Sequence, residues 1–195
     1  MTGRAHDLGY FNQMALLNGL TGSAGVRPIF KPGMLFDSEE KWWDSPGRRP
    51  SPHEGLDICL YQRDKNPIET VGSGLKVPPV RPGKVVKICD DFLGQTVILS
   101  HEGRKAGTKE FLSLYAHLLP AQGIRPGKYM DMNAVVGTTA EIDPQKTSIP
   151  SHLHLSILWN KTPFVYDHLE WDRLSRRQGV CFVDPLAWLG ASKEL

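Results

Sequence analysis

The sequence predicts a mainly β protein, a compact antiparallel sheet or sandwich with a few short helices. Three observations predict it. Gly and Pro are abundant, at 19 and 15 of 195 residues, which suits many turns and short strands better than a helical chain. From His53 onward, short runs rich in β-branched and aromatic residues follow one another across turn clusters with no helical pattern between them, and strands joined so closely pair antiparallel. The length most simply forms one domain, able to bury a core without disulfide or metal staples.

Residues 1–48 read as an N-terminal arm, partly irregular and able to serve as a lid. Within it Phe11 to Leu20 is helix-compatible and is ended by Gly19 and the Thr21-Gly22-Ser23 cluster, and a Pro, Gly and charge-rich stretch follows. Trp42 and Trp43 are adjacent there, and packing onto the domain is the expected use of them rather than clamping a ligand. Residues 49–195 make up the domain. Its expected strands are Leu56–Tyr61, Lys84–Ile88 after the Arg81-Pro82-Gly83 turn, Thr96–Leu99, and Phe111–His117 beyond a turn region at 103–107. The Gly123–Gly127 turn leads to Ala134–Gly137, and a polar loop, Thr138–Ser151, leads to the strand His152–Trp159. Tyr166–Arg177 is expected as a surface helix packed through Leu169 and Leu174. Asp184 and Pro185, as cap and first-turn residue, open a closing helical turn to Leu189.

A formal net charge of +2 gives no case for nucleic-acid binding. Cys59, Cys89 and Cys181 are odd in number and widely spaced, which excludes a disulfide framework and a zinc knuckle and predicts free buried thiols. The N-terminus lacks the apolar core of a signal peptide and no run is long enough to span a membrane. The chain therefore reads as soluble and unexported, or as one whose export signal has been cut away. Nothing in it sets an oligomeric state.

The chemistry concentrates in three places. In the strand Pro150–Ile157, His152 and His154 share one face while Leu153, Leu155 and Ile157 take the other. In His53-Glu54-Gly55-Leu56-Asp57 an even spacing puts His53 and Asp57 on one side, and Gly55 between them permits close backbone approach. The same five residues read as a helical HExxD motif would make Glu54 a general base, but Gly55 and the lack of an amphipathic surround favour the extended form. In Tyr115-Ala116-His117-Leu118, His117 ends an alternating strand whose Phe111, Ser113 and Tyr115 are expected on its own face. His6, His101 and His168 lie in arm, hairpin and helix and are set aside. Cys59, two residues beyond Asp57, is read as a small buried hydrophobe.

Taken in order, HxGxD, YxHL and HLH resemble the lysostaphin-like or LytM-like zinc endopeptidases, over roughly residues 49–189. The resemblance implies the duplicated hybrid motif sandwich of that family, with zinc, one per chain, on His53, Asp57 and His154. It implies that His117 and His152 stand beside the metal as catalytic residues, the roles of general base and oxyanion partner being open between them. It also implies peptidoglycan peptide cross-links as substrate and a cell-envelope or secreted setting. A non-catalytic or latent protein of the same fold, binding peptidoglycan or regulating another hydrolase, is the alternative; such proteins typically lose ligands, and none is lost here. The usual glycine-rich approach to HLH is replaced by Thr147-Ser148-Ile149-Pro150-Ser151, which bears on peptide specificity. A lipoyl- or biotinyl-like carrier lacks a lysine in the required hairpin setting.

Overall fold

The sheet is built around β8 (Glu110–Pro120), an eleven-residue strand. The computed structural model describes residues 9–20, 25–44, 47–101, 110–160, 165–166, 169, 174 and 179–190. Nine strands form one antiparallel sheet whose main path runs β12 (Val180–Val183), β11 (Leu153–Asn160), β8, β7 (Gln95–His101), β6 (Gly83–Asp90) and β9 (Tyr129–Met130). β10 (Gly137–Thr139) bridges β5 (Lys76–Val77) to β8, and β2 (Leu56–Ile58) pairs with β11. A second, three-stranded sheet has the order β1 (Val26–Ile29), β3 (Leu60–Arg63), β4 (Glu69–Thr70). The mainly β, antiparallel architecture read from the turn spacing is thus observed.

Details differ from the sequence reading where turns or packing intervene. The expected strand Leu56–Tyr61 is broken at Cys59 so that β2 serves the large sheet and β3 the small one. β10 begins where the expected Ala134–Gly137 strand ends. Most of Tyr166–Arg177, including His168, and the 103–107 turn lie outside the described residues, but Leu169 and Leu174 are buried in a cluster with Ile98, Leu112, Leu114 and Leu158. The closing helix α2 (Pro185–Leu189) forms as expected, with the Asp184 carboxylate accepting from the Leu186 N–H and Gly190 in the left-handed conformation at its end.

Residues of the N-terminal 44 contribute directly to the main core. α1 (Gly9–Leu17) buries Tyr10, Phe11 and Met14, and these join Phe30, Met34 and Trp42 in one cluster with Leu56, Ile58, Tyr61, Tyr115, Leu153 and Leu155. Burial of that many aromatic and aliphatic side chains, at about 1.5–3 kcal/mol each relative to exposure, binds this stretch firmly to the sheets.

One irregularity positions the site. The β7–β8 register runs from Val97 opposite Tyr115 to Gln95 opposite Leu118, so Ala116 and His117 together face Thr96. This is a β-bulge, and His117 takes the left-handed backbone (φ 63°) that glycine usually supplies there. An extra residue reverses the alternation: Tyr115 and Leu118, three apart, both enter the main core. His117, expected on the face of Ser113 and Tyr115, is instead turned towards the rings of His152 and His154.

Candidate metal centre

Three strands bring the site together. In β11, Leu153 and Leu155 go into the core, which leaves His152 and His154 on the opposite face. β2 pairs with β11 so that Asp57 lies directly across from His154. His53 reaches the same point because residues 53–55 approach β11 without a helix; the extended reading of HEGLD is the observed one. A Cβ on Gly55 would meet the Leu155 carbonyl oxygen at 2.7 Å, Ser156 Oγ at 2.7 Å and His154 Cε1 at 2.8 Å. Only glycine permits so close a passage.

His53 Nε2, Asp57 Oδ1 and His154 Nδ1 converge. The separations are 3.1 Å between His53 and Asp57, 3.0 Å between His53 and His154 and 2.9 Å between His154 and Asp57. This buried group could hold a metal ion. The proton positions support that fit. His53 Nδ1–H donates to the Leu35 carbonyl at 3.0 Å, which can only accept, so Nε2 presents a lone pair to the centre. His152 Nδ1–H donates to the Pro150 carbonyl at 2.8 Å, so His152 Nε2, 3.5 Å from Asp57 Oδ1, also presents one. Electron-rich atoms this close need positive charge between them, either a proton on His154 Nδ1 or a cation. Two imidazole nitrogens and one carboxylate oxygen are a catalytic zinc donor set, and bonds of about 2.0–2.1 Å at tetrahedral angles would separate the donors by about 3.3 Å. Shifts of a few tenths of an ångström bring the triad to that spacing.

The second oxygen of Asp57 is fully engaged elsewhere. Trp42 Nε1–H donates to Oδ2 at 2.6 Å and Arg49 Nη2 at 3.0 Å, while the same Arg49 nitrogen reaches the Gly33 carbonyl at 2.9 Å. Asp57 therefore offers a single oxygen to the centre. Its burial would raise its pKa, but the imidazoles of His152, His154 and His53 packed against it, which favour the carboxylate whenever they carry a proton towards it, hold it well below the usual carboxylate range. Burial pushes the His152 imidazole down to about 4, against the pull of the Asp57 charge. His154 Nε2 faces Ser156 Oγ at 2.9 Å.

His117 and His152 stand beside the triad, their ring centroids 4.8 Å apart, and His117 is 5.9 Å from His154. All five positions singled out in the sequence are thus brought to one place. Trp42 does more than pack: its ring meets His152 edge-on at 5.3 Å while its N–H holds Asp57. Trp43 lies beneath the Arg49 guanidinium, 4.6 Å from its centroid. Arg49, Asp91 and the carbonyls of Leu35 and Pro150 escaped the sequence reading, because nothing in local spacing marks them. Cys59 is fully buried in the core, the small hydrophobe expected of it, and its thiol is pushed up to about 12, chiefly by burial; the other two cysteines, expected to be buried as well, are not, since Cys89 is half-buried and Cys181 lies exposed on the edge strand β12. The Thr138–Ser151 loop supplies Glu141, Ile142, Asp143, Lys146 and Thr147 to a cavity of about 310 Å³ closed on the other side by Phe92 and Leu93.

No protein-family model matches the chain, and neither does any curated protein sequence. Solved structures give likenesses. In chain trace the protein is similar to lysostaphin. The NMR solution structure of lysostaphin overlays with a TM-score of 0.49 at 17% identity, covering 85% of this chain and 58% of lysostaphin. LytU overlays with a TM-score of 0.45 at 15% identity, covering 74% of this chain and 84% of LytU. A point mutant of the catalytic domain of the prophage-encoded M23 protein EnpA from Enterococcus faecalis gives 0.40 at 17%, covering 67% and 84%. The donor set described above stands on this chain's own residues.

Proposed function

We propose that this protein is a zinc-dependent endopeptidase whose substrates are the peptide cross-links of peptidoglycan. The observation that carries the reading is the convergence of His53 Nε2, Asp57 Oδ1 and His154 Nδ1 within 3.1 Å of one another, with two further imidazoles alongside. The substrate class follows from the HxGxD, YxHL and HLH motifs and their resemblance to lysostaphin-like endopeptidases. His53, Asp57 and His154 would hold the zinc ion, which would supply an acidified water and a Lewis acid for the scissile carbonyl. The chain's own groups do the rest. His152, its Nδ1 fixed on the Pro150 carbonyl, turns Nε2 inward, and His117 flanks it. Between them, one imidazole takes a proton, and the other hydrogen-bonds the developing oxyanion when it carries a proton on its inward nitrogen. Trp42 and Arg49 keep Asp57 to one ligating oxygen.

Incubation with purified sacculi tests this. Muropeptide release seen by chromatography, abolished by chelator and restored by zinc, with about one zinc per chain in protein purified without chelator, is the expected outcome. Protein that carries no zinc and releases nothing overturns the reading. Sacculus binding without release would mark the non-catalytic alternative, which the burial of the site favours: His53, Asp57, His152 and His154 are only 1–7% exposed.

A further inference from the structure

The β6–β7 turn places a carboxylate behind one of the two flanking histidines. Asp91 accepts four hydrogen bonds, two on each oxygen. Oδ1 takes the Leu93 N–H at 2.9 Å and the His117 ring at Nδ1, 2.9 Å away. Oδ2 takes the Thr96 hydroxyl at 2.7 Å and the His117 backbone N–H at 2.9 Å. The side chain is 5% exposed, and an ionised carboxylate can only accept, so the His117 proton sits on Nδ1 and the lone pair on Nε2. On the other side the His117 carbonyl accepts from the Ala140 N–H at 2.9 Å.

His117 also occupies a left-handed backbone conformation (φ 63°), which strains a non-glycine residue and persists only where its surroundings hold it. Asp91 grips both the ring and the backbone amide of that one residue, and so fixes the bulge and the ring it carries together. Burial alone would raise the Asp91 pKa, yet the hydrogen bonds and charge of His117 with the Thr96 hydroxyl keep it well below the usual carboxylate range. His152, by contrast, has only the neutral Pro150 carbonyl behind its ring.

We propose that Asp91 is a positioning residue for hydrolysis, locking His117 in the Nδ1–H tautomer with its Nε2 lone pair available at the centre, and that His117 rather than His152 is thereby the proton acceptor. This rests on the endopeptidase reading above. When His117 Nε2 takes a proton, the resulting imidazolium is already paired with Asp91; when the proton leaves, the same tautomer is restored.

Asp91→Asn tests it, with Asp91→Glu as the conservative partner. In Asp91→Asn protein that retains its melting curve and its zinc, kcat should fall at least about tenfold with KM within about twofold, and Asp91→Glu should recover part of the loss. Independently of activity, ¹⁵N NMR of the zinc-free protein should show His117 as the Nδ1–H tautomer in wild type and a changed tautomer ratio in the Asp91→Asn variant. Unchanged kcat in a folded, zinc-loaded Asp91→Asn variant overturns the proposal, as does a wild-type Nε2–H tautomer. A kcat loss that only tracks zinc loss also overturns it, since that is a structural effect. If Asp91→Asn does not fold, Thr96→Val, which removes one of the four bonds, should give a smaller kcat loss, and no loss overturns the proposal. Should wild type lack peptidase activity altogether, the endopeptidase reading fails by itself, and the tautomer measurement still decides whether Asp91 orders His117.

Discussion

Two histidines one residue apart, equivalent in strand geometry, occupy different electrostatic positions. His154 lies directly across from Asp57 and shares its Oδ1 with His53, whereas His152 lies between that oxygen and Trp42. His154→Ala should therefore lose zinc, by more than the ~10–100-fold cost of a supporting residue, as read by competition with a chromogenic chelator. His152→Ala should keep zinc and lose about 10²–10³-fold in turnover, the cost of one oxyanion partner. Gly55 offers a second test, since any side chain there collides with β11 backbone and with the His154 ring. Gly55→Ala should lower stability by about 1–3 kcal/mol in thermal melts. His152 with His154, and His53 with Asp57, were legible because strand alternation and even spacing constrain each pair locally; His117 was singled out by its motif, and alternation put it on the wrong face. Asp91 and Arg49 were not, because their partners are defined by which turns and strands meet in space.

At the scale of elements, the bulge in β8 is the device that alternation alone does not foresee. Regular pairing would send His117 into the core beside Tyr115; the extra residue sends it to the histidine face. No residue in Tyr-Ala-His-Leu signals a bulge, since the left-handed position is held by histidine rather than glycine. Strand existence, in contrast, was readable from composition and turn spacing, and the large sheet follows from it. The short strands that were missed, such as β5 and β9, span two residues each and carry too little pattern to be seen. The segment bearing Trp42 acts at this scale too, because its indole N–H fixes the Asp57 carboxylate. Trp42→Phe keeps an aromatic ring, smaller than the indole, but removes the donor, and should weaken zinc binding about 10–100-fold by the same chelator competition, with the packing loss of the smaller ring read separately in thermal melts.

Across the whole molecule, acid stability draws on a histidine remote from the metal centre. His101 is buried at the end of β7, donating from Nδ1 to the Pro82 carbonyl at 2.9 Å and lying 2.7 Å from Ser113 Oγ, which in turn is 2.9 Å from the Tyr115 hydroxyl. Burial lowers its pKa from 6.5 to about 4, opposed by the Pro82 carbonyl and reinforced by Arg81. Between those values the unfolded chain binds a proton that the folded chain refuses, so protonation favours unfolding. Stability from this residue is present above pH 6.5 and is lost as pH falls towards 4, by up to roughly 3 kcal/mol. Denaturant unfolding from about pH 7 to about pH 4 should show that limb, and His101→Gln should reduce it, leaving the share of His152, whose imidazole is likewise pushed down to about 4.

The grip of Trp42 and Arg49 on the Oδ2 oxygen of Asp57 would make metal occupancy of the proposed site and the docking of that early segment reciprocal. A ligand that binds only the folded arrangement stabilises it by about 2.7 kcal/mol at a hundred times its Kd, and the benefit reaches every group that shapes the ligand's site. With zinc bound as proposed, the segment ahead of the HxGxD motif would be fastened from two sides, by its own buried aromatics and by the ion it helps to hold. A zinc-poor medium would then release the second fastening, and the lifetime of this segment against proteolysis would become a measure of zinc supply.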